Sequence, residues 1–89
     1  MARYQPHPTA AYRNIEGHIF IITPDSRQHE LHGNVELFLW ELCEEKARSK
    51  NELIDAITEQ FNVSRTVASN DLDHFLLELT DAGVFKSID

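Results

Sequence analysis

Five histidines, one cysteine and fifteen carboxylates are the side chains with chemistry to offer in this sequence. His29 and His32 stand three apart in a stretch that reads as a strand, where that spacing sends the side chains to opposite faces, so they share no ion. His18 and His32 meet only if their strands are neighbours, and two imidazoles without a cysteine or a paired carboxylate make a poor metal site. Asp71 and Asp73, two apart on a helical stretch, diverge and cannot divide acid and base work between them. Cys43 borders an apolar helical stripe with no cation within one turn on its own face. That setting suits a small buried hydrophobe, not an activated nucleophile. Gly17, Gly33 and Gly83 are dispersed, so there is no phosphate-cradling loop. One cysteine cannot hold an iron–sulfur cluster. These residues point to a non-enzyme with no catalytic residues, no metal and no cofactor.

Composition narrows the class of partner. The 89 residues suffice for one domain, and the apolar and charged fractions, 42% and 26%, are ordinary for a globular chain. Eight Lys and Arg stand against fifteen Asp and Glu, a net charge of −7. Attraction to phosphate drives most non-specific nucleic-acid binding, so this balance disfavours such a partner and suits a basic or neutral one. No apolar run approaches the roughly 20 residues of a bilayer span. Residues 1 to 12 contain no apolar signal-peptide core. With a lone cysteine, the expectation is a cytoplasmic protein without a membrane partner.

The elements that must position any site follow from periodicity. Residues 1 to 9, with Pro6 and Pro8, read as an extended N-terminal tail before a domain over 10–86. Tyr4 either tucks back onto that domain or stays loose. Ala10–Ile15 and His18–Thr23 read as strands joined at Glu16-Gly17, a two-residue hairpin signal. Pro24-Asp25-Ser26-Arg27 is a turn, and Gln28–His32 returns as a third strand. After Gly33 the period changes, with Asn34 as candidate cap and Val35, Phe38, Leu39 and Leu42 as the core face of a helix to about Glu45. Ser49 and Glu52 have capping-box spacing for a second helix burying Leu53, Ile57 and Phe61. Ser64 caps a third, with core stripe Ala68, Leu72, Phe75, Leu76, Leu79 and Ala82 and a left-handed Gly83 at its end. Three strands in an antiparallel sheet followed by three helices make an α+β, winged-helix-like fold.

Two surfaces remain once core and solvent are assigned. The Gln28–His32 strand lies at the sheet edge. Such an edge is either blunted by His and Glu against aggregation or open to an added peptide strand. On the third helix, Val67, Asp71, His74 and Glu78 line one flank of the buried stripe, with Asn70 and Leu77 further round. Glu78 fits a solvated face, whereas Val67 and His74 border apolar surface and are placed to line a groove. Leu37 and Trp40 of the first helix fall on its exposed or weakly covered sides, and an exposed Trp suggests packing by the tail or a protein contact.

The ordered set of Leu31-His32-Gly33-Asn34, Asn51-Glu52-Leu53-Ile54-Asp55-Ala56-Ile57, Phe61-Asn62-Val63, and Val67, Asp71-Leu72, Phe75-Leu76, Leu79 and Gly83-Val84-Phe85 resembles the PqqD family. These are small proteins of pyrroloquinoline quinone biosynthesis and their relatives, the recognition elements of ribosomally made, post-translationally modified peptides. The resemblance spans about residues 8 to 86. It implies a three-stranded sheet with three helices that binds the leader segment of a precursor peptide. The leader would add to the third strand and lie between it and the third helix. Carried over by position, this implies Gln28, His29, Glu30, Leu31 and His32 as backbone partners and Val67, Asn70, Asp71 and His74 as groove residues. It also implies a second partner, a radical SAM enzyme that does the chemistry. From charge, the acidic third helix suits a leader carrying Lys or Arg. The reading from a different class is a winged-helix transcriptional regulator. Its recognition helix would need cations, yet this one sets Arg65 against Asp71, Asp73, Glu78 and Asp81. The nearest basic cluster is Lys46, Arg48 and Lys50, in the turn before the second helix. The sequence does not fix the oligomeric state.

Overall fold

The computed structural model describes residues 2–88. Its elements are β1 (Arg3–Pro6), β2 (Ala11–Ile15), β3 (His18–Ile22), β4 (Gln28–Leu31), α1 (Asn34–Glu45), β5 (Arg48–Ser49), α2 (Lys50–Gln60), α3 (Arg65–Asp81) and β6 (Phe85–Ile88). The strands form two three-stranded antiparallel sheets, ordered β2-β3-β4 and β5-β1-β6. The architecture is α+β, with the expected meander and three helices. The second sheet is the addition.

Local chemistry explains the meander. Glu16 and Gly17 both take positive φ, 50° and 82°, which suits a two-residue turn to the twist of β2 and β3. At the second corner Ser26 N–H donates to the Thr23 carbonyl at 2.9 Å and Thr23 N–H to that of Arg27 at 2.9 Å. The Thr23 hydroxyl accepts from Arg27 N–H at 3.1 Å and pairs with Asp25. The strand expected over 28–32 ends at Leu31, and His32 lies beyond it.

The helix ends follow capping chemistry, with one correction. Asn34 is the first helical residue and caps nothing; Gly33, at φ 99° and without a side chain to donate or accept, holds the N-cap position. At α2 the capping box is complete, Glu52 N–H donating to Ser49 Oγ and Ser49 N–H to Glu52 Oε1, each at 3.2 Å. Ser64 Oγ accepts from Val67 N–H at the start of α3. Its far end closes with Val84 N–H on the Leu79 carbonyl and Gly83 N–H on that of Thr80, around a left-handed Gly83.

The tail is extended as expected, but it is built into the fold. Arg3 pairs with Ile88 and Pro6 with Phe85, while Arg3 and Tyr4 also pair with Ser49 and Arg48. This second sheet turns α1 about its axis relative to the expectation. The helix buries Leu39, Trp40 and Cys43, leaving Phe38 and Leu42 half-buried and Val35 40% exposed. Trp40, expected on an uncovered side, is only 1% exposed. Its ring stacks on Phe85 of β6, centroids 5.7 Å apart, and takes Tyr12 edge-on at 5.0 Å. Leu37 is half-buried against the same core. On α3 the stripe Ala68, Leu72, Leu76 and Leu79 is buried, with Phe75 and Ala82 partly so.

Candidate functional site

The edge of β4 is the first feature of the candidate site. Among the described residues β4 pairs with β3 alone, in the register Ile19 with Leu31, Phe20 with Glu30, Ile21 with His29 and Ile22 with Gln28. The Thr23–Arg27 bond fixes which groups face outward. Residue pairs in an antiparallel ladder alternate between bonded and unbonded. The His29 and Leu31 backbones therefore turn toward β3, and those of Gln28 and Glu30 present N–H and C=O at the free edge. Side chains alternate too: Leu31 is buried and His29 half-buried, with a buried Nε2 that has no hydrogen-bond partner. Gln28 and Glu30 point to the outer face. There Glu30 pairs with His18, and the His18 and His32 rings stack with centroids 5.8 Å apart.

Two residues beyond β4 the chain enters α1, whose first turns form one wall of a groove of about 480 Å³. Val35, Glu36 and Leu39 supply that wall, while Asp71, His74, Phe75 and Glu78 of α3 face them. Ile57, Ala68 and Leu72 add apolar floor, and Val63 adds to the lining. His74 Nδ1 donates to the Asn70 carbonyl at 2.9 Å. Because a carbonyl can only accept, Nδ1 carries the proton in this bond.

The structure thus brings Asp71 and His74 into one groove. Val67, 48% exposed, lies one turn before Asp71 on the same side of α3, outside the lining. Asn70 belongs to a separate depression with Ile54, Arg65, Thr66 and Ser69. Val35, which periodicity assigns to the core, and Glu78, which shares the flank of Asp71 and His74 but fits a solvated face, also line this groove. The available signal was that Val35 sits in the first turn after the strand, where a helix has little beneath it.

Cys43 is buried, and desolvation pushes its thiol up to about 12, partly offset by Arg48. A thiol held in its protonated form this firmly is a poor nucleophile. No group of three or more His, Cys, Asp or Glu among the described residues is placed to hold a metal ion. No helix among them is long and apolar enough to cross a membrane.

The profile of the family described as "Coenzyme PQQ synthesis protein D (PqqD)" matches residues 37–84, more than half of the chain. No curated protein matches the sequence. The fold is similar to that of a solved structure of TbiB1 in complex with the TbiA(beta) leader peptide. The TM-score is 0.82 at 22% identity, over 92% of this chain and 94% of that one.

Proposed function

The chain belongs to the PqqD family, and from that premise we propose that it binds the leader segment of a ribosomally synthesised precursor peptide and presents it to a separate modifying enzyme, a radical SAM protein. The leader adds as a strand to β4 through residues Gln28 to His32 and continues along α3 past Val67, Asn70, Asp71 and His74. One observation carries the reading: β4 keeps an unpaired edge and lies only two residues before α1, whose first turns wall the groove that α3 faces. Backbone bonding supplies affinity in such an arrangement and the neighbouring groove supplies selectivity. The similar TbiB1 structure, which holds a leader peptide, supports the same reading.

The regulator alternative loses ground on charge. Arg65, the one cation on α3, is held by Asp55 at 2.7 Å. In the basic cluster Arg48 bonds Glu45 and the Leu42 carbonyl, and Lys50 pairs with Asp73. Few cations are left to meet phosphates.

The test is an NMR titration with the leader half of a short peptide encoded beside this gene. Amide shifts are expected at residues 28 to 32 and along 67 to 74. Shifts confined to Lys46–Lys50 on adding duplex DNA, with none from the peptide, would favour the regulator instead.

A further inference from the structure

We propose that the groove between α1 and α3 selects, in the bound peptide, a bulky apolar side chain flanked two residues away on each side by Lys or Arg. The inference rests on the leader-binding reading and names the kind of leader that fits. The groove has an apolar floor of Leu39, Ile57, Ala68, Leu72 and Phe75 under a rim bearing three carboxylates, Glu36, Asp71 and Glu78. No Lys or Arg lines it.

Pairing elsewhere makes the rim distinctive. Asp73 on the same helix is neutralised by Lys50, Asp55 on α2 by Arg65, and Glu52 meets Arg3 at 3.5 Å. Glu36, Asp71 and Glu78 have no such cation among the described residues, so three like charges border one apolar cleft without a Lys or Arg among those residues paired to them. A cation from a partner would relieve that repulsion, and the apolar floor beneath it strengthens the attraction.

Spacing sets the pattern. Asp71 and Glu78 stand two helical turns apart on one face, about 10 Å along the axis. In an extended peptide, residues two before and two after a central one lie on its side of the strand, roughly 13 Å from each other. The flexible stems of Lys and Arg close the difference. The central side chain then meets the floor at Phe75 and Leu72.

The test uses three dye-labelled, N-acetylated peptides that differ only at the positions two before and two after a central Phe, which hold Lys, Gln or Glu. Fluorescence anisotropy at low salt should rank them Lys, then Gln, then Glu, with about a tenfold range that narrows as salt rises. The Glu36→Gln, Asp71→Asn, Glu78→Gln triple variant should bring the three affinities together, and replacing the Phe by Ala should weaken all of them. An absent or inverted ranking, a ranking that survives in the triple variant, or no binding by any peptide overturns the inference. Amide shifts at β4 separate the two levels. Peptides that shift β4 without a charge ranking sink the inference and leave strand addition standing. A charge ranking with groove shifts and a silent β4 does the reverse.

Discussion

Cys43 shows how one buried side chain ties stability to pH. Its pKa rises from 9.0 to about 12 because burial penalises the thiolate, so the folded state holds the proton where the unfolded chain releases it. That contribution is complete below the unfolded value and is lost as pH climbs from about 9 toward 12. Urea midpoints of wild type should therefore fall across this window, whereas those of Cys43→Ala should be lower near neutrality and flatter above pH 9. Parallel curves for the two proteins would mean that the thiol is not the titrating group. Reading Cys43 as core was possible from its neighbours on one helical turn. Trp40 was misread because the surface that covers it, Phe85, lies far along the chain.

Among the elements, β4 carries the functional argument, and its two backbone faces make distinct predictions. Glu30 points its N–H to the free edge, so Glu30→Pro should keep the far-UV spectrum while weakening leader binding at least about tenfold. His29 points its N–H at β3, so His29→Pro removes a ladder bond and leaves a β3 carbonyl unpaired, which should cost about 1–3 kcal/mol in folding stability. Equal unfolding in both variants would mean that β4 is an internal strand. Period-2 and period-3.6 patterns made β2, β3, β4 and the three helices legible, and cap residues placed α2 and α3. The face of α1 was not legible, because a stripe of Val35, Phe38, Leu39 and Leu42 and one of Leu39, Trp40 and Cys43 are both apolar. Which one is buried depends on what packs against it.

At the scale of the whole molecule, the second sheet joins residues near both termini, Arg3 beside Ile88. No local pattern encodes so distant a register, and prolines at 6 and 8 argue for a lead-in when read alone. Among the described residues β1 and β3 are the enclosed strands, and β2, β4, β5 and β6 each keep an open side; β4 is the edge that leads within two residues into α1, whose first turns wall the acidic cleft. Asp71 and His74 line the cleft, Val67 and Asn70 lie outside it, and Val35 and Glu78, which periodicity assigns to core and solvent, line it as well. The central claim is that another chain completes this edge, and amide hydrogen exchange at β4 tests it directly. In the free protein Gln28 and Glu30 should exchange fast and His29 and Leu31 slowly, and saturating leader peptide should slow Gln28 and Glu30 alone. Gln28 and Glu30 amides already protected in the free protein, or unchanged with peptide bound, would contradict it.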